Sequence, residues 1–288
     1  MSSRVAQLLA TILSGAGCSL FLLDEGELSG GRAAPSAEGG ADVADISPSE
    51  AGISEPDSAV EAPSRYASAI LADEPTLYWR LGESAGTIAK AAVGADGAYS
   101  VAGIALGAPG VLAGDPDTAV TFTDGAGRIE LDTGASFDGL APFSVEVWVK
   151  PSPANPALGF VFDHTHWGEA GARRGWDILV GNATTNFERW ASVDEKSSAG
   201  STAMSVGQWH HLVGTFDGAT MRLYADATRI AERGTSVELP ARTSALTIGH
   251  QGCDCSAVNS FIGDLDELAV YDKALTDAQI AAHYAAAR

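Results

Sequence analysis

Short runs in which apolar and polar side chains alternate residue by residue dominate the second half of the chain. In the clearest, Phe143, Val145, Val147 and Val149 fall on one face and Ser144, Glu146, Trp148 and Lys150 on the other, the two-residue period of a strand with one buried face. Further runs at 120–122, 128–131, 159–162, 176–180, 209–216, 221–224, 246–248 and 261–271 predict strands separated by turn residues. Asp217-Gly218, between two such runs, predicts a tight hairpin in which glycine supplies the positive φ. Two helices are expected as edge cover. One spans 66–72 and stops before Pro75; the other starts at Thr276, whose hydroxyl closes a capping box with Gln279. Ile280 and Tyr284, four apart, give the second helix one apolar stripe. The pattern predicts an all-β domain of two antiparallel sheets packed face to face.

The first 65 residues read differently. Arg4 precedes nineteen uncharged residues, 5–23, whose densest apolar part, 5–13, ends in the small-residue patch Ser14-Gly15-Ala16-Gly17-Cys18, the layout of an export signal. A signal-anchor helix is the alternative, since the run approaches the ~20 residues that cross a bilayer. The segment Gly15 to Cys18 resembles a bacterial lipobox, with Gly15 where a leucine is usual, and this implies lipidation on Cys18 and a tether to a membrane face. Residues 24–65 carry ten acidic side chains against Arg32 and Arg65 and have no aromatic residue. Such a stretch cannot offset its ordering entropy by burial and predicts a disordered acidic linker. The folded domain is therefore placed at 66–288.

Composition narrows the function classes. Of the 288 residues 45% are hydrophobic, enough for a real core. A net charge of −20 repels a phosphate backbone, so nucleic acid is not an expected partner. Three cysteines are too few for a disulfide framework.

Three segments in order are similar to the laminin G-like, or concanavalin A-like, jelly-roll domains of bacterial surface proteins. The first is Tyr78-Trp79-Arg80-Leu81-Gly82-Glu83 followed by Gly97-Ala98-Tyr99. The second is Phe143 to Pro151, then Trp209-His210-His211-Leu212-Val213-Gly214-Thr215-Phe216-Asp217-Gly218 running into Leu223-Tyr224. The third is Phe261 to Tyr271 with Lys273-Ala274-Leu275-Thr276. The resemblance implies a jelly-roll sandwich acting as a binding or adhesion module at the cell surface, toward a glycan or a surface protein, and it names no ligand.

The same superfold houses glycoside hydrolases, which need two carboxylates on one surface. Glu130 with Asp132, and Asp264 with Asp266, share strand faces, but Leu268 and Val270 are expected on the side of the second pair, which makes it a wall position. No catalytic residues are assigned. His164-Thr165-His166 and His210-His211 lack a further ligand at zinc spacing, and no Ser/His/Asp order is recognisable. Calcium is the expected cofactor, if any, with Glu83 and Asp266 as oxygen donors; the alternative is that Asp266 accepts backbone hydrogen bonds and Glu83 is solvated. The stretch 162–190 is expected to be a loop region carrying the ligand site, with Trp167 and Trp190 as aromatic platforms, His164 and Asn186 as hydrogen-bonders, and Trp176 in the core. Cys253-Asp254-Cys255 allows a small intraloop disulfide in an exported protein. Free thiols, a metal-ligand pair or an intermolecular bridge are its alternatives.

Overall fold

The computed structural model describes residues 64–131, 137–167, 173–192, 194–239, 245–252 and 259–288. Cys18, the export signal, nearly all of the acidic linker, Asp132, Cys253 and Cys255 lie outside the described residues.

The alternating runs become strands β1 (Leu77–Trp79), β2 (Ile88–Ala89), β3 (Ala91–Val93), β4 (Gly97–Tyr99), β5 (Ile104–Pro109), β6 (Thr118–Phe122), β7 (Ile129–Leu131), β8 (Phe143–Pro151), β9 (Phe160–Trp167), β10 (Arg173–Val180), β11 (Thr184–Trp190), β12 (Lys196–Thr202), β13 (His210–Phe216), β14 (Thr220–Ala225), β15 (Thr228–Gly234), β16 (Leu246–Ile248) and β17 (Gly263–Tyr271). Sheet one runs β15-β14-β13-β8-β17-β1-β3, with β6 also on β17 and β5 on β6; sheet two runs β12-β11-β10-β9-β16-β7-β4-β2. Pairing is antiparallel between these strands, for example Val145 opposite Gly214 and Val270. The jelly-roll sandwich expected from the sequence is the observed architecture. Phe143, Val145, Val147 and Val149 enter the core between the sheets beside Trp176, Ile178, Phe187 and Leu212. Gly218 (φ 96°) makes the β13–β14 turn, where Asp217 Oδ1 accepts the Ala219 and Thr220 N–H groups.

The helices do more than cover edges. Helix α1 (Arg65–Ala72) is capped by Ser64, and α2 (Asp277–Ala286) by the expected Thr276–Gln279 box. Both lie on the outer face of sheet one, where Tyr66, Ile70 and Ile280 pack with Tyr78, Trp148, Val213 and Tyr271 in a second apolar cluster. This explains why the nominally outward residues of β8, Ser144, Glu146 and Trp148, are also buried. Glu146 is held there by polar partners: its Oε1 accepts the Tyr271 hydroxyl at 3.0 Å, and its Oε2 meets His283 Nδ1 at 3.0 Å. His283 Nε2 contacts Asp73 Oδ2 at 3.0 Å, just past the end of α1. The imidazole therefore ties both helices to the sheet.

One expectation about β17 fails. Strict alternation puts Leu268 and Val270 with Asp264 and Asp266, but the register shifts between Asp266 and Ala269, with Glu267 at φ 52°. The extra residue rotates the strand, so Leu265, Leu268 and Val270 share the core while both aspartates face away from it.

Candidate functional site

The bulge in β17 brings several charged side chains together. On one edge of β17, β6 pairs with residues 263–265 and β1 with residues 268–270, leaving the bulge between them. Arg80 follows β1 and Asp117 precedes β6, so chain order alone delivers both to the gap where Asp266 and Glu267 lie. Gly82 makes room, since a Cβ there would fall 1.5 Å from Asp117 Oδ1.

Arg80 is the hub. Its Nη2 donates to Asp115 Oδ2 and Glu267 Oε1, each at 2.8 Å, and its Nε lies 3.0 Å from Asp117 Oδ2. Burial opposes the guanidinium charge, but Glu267 and the neighbouring aspartates win and hold its pKa above the ordinary arginine value. Glu267 also accepts the Tyr78 hydroxyl, and Asp266 Oδ2 accepts Val111 N–H at 2.8 Å. Burial pushes Glu267 up to about 7 against the opposing pull of Arg80, and burial plus the Glu267 charge drive Asp266 well above the carboxylate range. Oxygens of Asp117, Asp266 and Glu267 lie within 4.8 Å of one another. Asp266 Oδ1 is buried with no hydrogen-bond partner. This donor set is all oxygen, as a hard divalent cation prefers. Above it opens a cavity of about 520 Å³ whose walls include Arg65, Arg80, Asp115, Asp117 and Arg288.

Of the two metal donors expected, only Asp266 is in this group. The Glu83 carboxylate is occupied by Lys90 N–H at 2.7 Å and the Tyr99 hydroxyl at 2.6 Å. Sequence reasoning missed Arg80, Asp117 and Glu267, although Arg80-Leu81-Gly82 and Asp266-Glu267 were both in segments already singled out. The missing signal was the bulge.

The stretch 162–190 is not a loop region. Apart from the segment outside the described residues, it consists of β9, β10, β11 and their connections. Trp176 is in the core, as expected. Trp167 ends β9 opposite Arg173. His164 is buried with its ring stacked on Trp176 and edge-on to Phe137. Asn186 is half-buried and donates to Thr184 Oγ1 at 2.8 Å. Trp190 is only 8% exposed, which contradicts an open platform. The Arg173 and Lys196 cations sit 4.5 and 4.4 Å from its ring centroid, and its Nε1 donates to Asp177 Oδ2 at 3.0 Å. Asp163, Asp177 and Glu188 are direct cross-strand neighbours on β9, β10 and β11. Burial, with the charges of Glu188 and Asp163, raises the Asp177 pKa well above the carboxylate range despite Arg173.

The family profile described as "Concanavalin A-like lectin/glucanases superfamily" matches residues 123–281, more than half of the chain. The chain belongs to this superfamily. No curated protein matches it at a significant level. Among solved structures, this lectin/glucanase-like domain is similar to the binding domain of botulinum neurotoxin serotype D (TM-score 0.56, 13% identity, 75% of this chain and 52% of that one). It is also similar to the binding domain of Paraclostridial Mosquitocidal Protein 1 (TM-score 0.54, 16% identity, 73% and 52%). A Trypanosoma rangeli sialidase bound to 2,3-difluorosialic acid gives TM-score 0.53 at 12% identity, over 73% of this chain and 32% of the enzyme. The chain thus spans about half the length of the toxin domains and a third of the sialidase, and at these identities the likeness is one of fold.

Proposed function

We propose that this superfamily member is a non-cleaving glycan-binding module, exported and held at a cell surface through its N-terminal segment, with the cavity above Arg80 as its ligand site. The observation that carries this reading is the cavity itself. Its volume of about 520 Å³ suits a small ligand, and its lining carries both guanidinium donors (Arg65, Arg80, Arg288) and carboxylate acceptors (Asp115, Asp117). That pairing matches a saccharide, whose hydroxyls both donate and accept. The cluster of Asp117, Asp266 and Glu267 fits a calcium ion, which would brace the cavity floor by neutralising carboxylates whose charge burial disfavours.

Cleavage is disfavoured because Asp177, which lies directly between Asp163 and Glu188 on sheet two, is fully buried and committed to Arg173 and Trp190. The test is a glycan array probed with the full chain, with and without calcium. Glycan binding lost in Arg80→Met and Asp115→Asn supports the reading. Absence of any glycan signal together with self-association or capture of a surface protein would replace it with protein adhesion, and sugar release abolished by Asp177→Asn would replace it with an enzyme.

A further inference from the structure

Away from this cavity, the loop before β13 and the β14–β15 turn bring together three side chains that the sequence order conceals. His210 Nδ1 lies 2.8 Å from Asp226 Oδ2, and His210 Nε2 lies 2.8 Å from Ser205 Oγ. This is a hydroxyl, an imidazole and a carboxylate in a hydrogen-bonded chain, recognised by geometry rather than by position in sequence. We propose that Ser205, His210 and Asp226 act as nucleophile, general base and orienting acid, accepting an acyl group from activated carboxylic esters. This goes beyond the glycan-binding reading and is independent of it.

The local structure aims the carboxylate. Asp226 and Ala227 form a two-residue turn with φ of 52° and 62°, a geometry that normally calls for Asn-Gly. Alanine is held there in a left-handed backbone that its Cβ disfavours. The turn is pinned because Asp226 N–H donates to His211 O at 2.9 Å while Asp226 Oδ1 accepts His211 N–H at 3.0 Å. Oδ2 is left for the His210 ring. Ser205 is exposed, its Oγ also reaches Gln208 Oε1 at 3.3 Å, and the neighbouring Val206 is 50% exposed. An apolar acyl or aryl group can rest on that valine.

In the reaction, Ser205 Oγ bonds to the ester carbonyl carbon as its proton passes to His210 Nε2. Collapse of the tetrahedral adduct breaks the bond to the alcohol or phenol, which leaves with that proton. Water then hydrolyses the acyl-serine, with His210 taking its proton. The base must start with Nε2 unprotonated. Asp226 and, at 3.3 Å from Nε2, the Ser205 carbonyl accept hydrogen bonds from the imidazolium and raise the His210 pKa against burial and the opposing charge of Arg288, so Nε2 must lose its proton and turn from the Ser205 carbonyl to the Ser205 hydroxyl. Acylation should therefore rise with pH through a midpoint above the ordinary histidine value of about 6.5.

The full chain is incubated with p-nitrophenyl acetate or a fluorophosphonate probe at pH 6–9, and the adduct is located by peptide mass spectrometry. The expected result is one adduct, on Ser205, absent in Ser205→Ala and formed at least tenfold more slowly in His210→Gln, with the Ser205→Ala melting temperature unchanged. Asp226 is a positioning residue, so Asp226→Asn should shift the pH midpoint downward as well as slow labelling. No adduct, an adduct elsewhere, or equal labelling of Ser205→Ala would overturn the proposal.

Discussion

Replacing His283 with alanine tests how the helices are fastened to sheet one. The imidazole bridges Glu146 at 3.0 Å and Asp73 at 3.0 Å, and both His283 and Glu146 are fully buried. Burial alone would raise the Glu146 pKa, yet hydrogen bonds and charge from His211 and His283 lower it to about 2. His283 moves the other way, its burial outweighed by Glu146 and Asp73, so it stays charged above the normal histidine range. Removing one partner of a buried pair costs about 3–5 kcal/mol. Glu146 keeps the Tyr271 hydroxyl and sits 3.6 Å from His211 Nε2, which argues for the lower end, about 3 kcal/mol. That is a large fraction of the roughly 5–15 kcal/mol holding an ordinary domain folded. Linkage gives a second signature. The lowered Glu146 pKa contributes stability that is present above about 4.5 and lost as pH falls toward 2. The raised His283 pKa contributes stability present below about 6.5 and lost as pH rises through its folded value. Urea unfolding of wild type and His283→Ala between pH 3 and 9 reads both. The variant should be less stable at pH 6 and show a weaker fall in acid. A loss under 1 kcal/mol with the acid limb unchanged would refute the bridging role.

Gly82→Ala should disorganise the charged cluster, because its Cβ would displace the Asp117 carboxylate; a loss of about 1–3 kcal/mol and weaker calcium-induced stabilisation in thermal melts are expected. Glu267, raised to about 7, contributes stability present below about 4.5 and lost as pH rises through 7; Glu267→Gln should flatten that decline, and calcium should restore melting temperature at pH 8 in wild type but not in Asp266→Asn. Trp190→Ala should cost about 3 kcal/mol in urea unfolding while leaving glycan binding of the folded protein intact, since the indole closes a buried Arg173–Asp177 pair rather than facing solvent.

The parts of the fold legible in the sequence were those where apolar side chains alone mark the inward face. β8, β10, β13 and β16 carry valine, leucine, isoleucine, phenylalanine or tryptophan at core positions. β11 was not legible because one of its inward residues is Arg189, fully buried with its guanidinium 3.8 Å from the Phe216 ring centroid. Its Nη2 donates to Gly139 O at 2.8 Å and Val237 O at 3.2 Å, and burial lowers its pKa to about 10. An inward arginine breaks the alternation that a reader of sequence relies on, and so 184–190 looked like loop.

The candidate site was illegible for a related reason. A strand with perfect alternation would carry Asp266 and Leu268 on one face, and no arrangement of charges could then be both clustered and shielded. Inserting Glu267 at positive φ returns Leu268 to the core while Asp266 stays on the opposite face, and it leaves a break in the edge pairing that Arg80 and Asp117 fill. The strain of that residue, about 1–3 kcal/mol, is offset by the hydrogen bonds Glu267 receives from Tyr78 and Arg80. Local propensity disfavours this backbone and only the tertiary partners justify it, so the site becomes visible once β1, β6 and β17 are brought together in space. The same logic applies to Asp226, whose left-handed turn makes sense only beside His210. In both places the departure from regular strand geometry coincides with the placement of a carboxylate that the regular geometry would have aimed elsewhere.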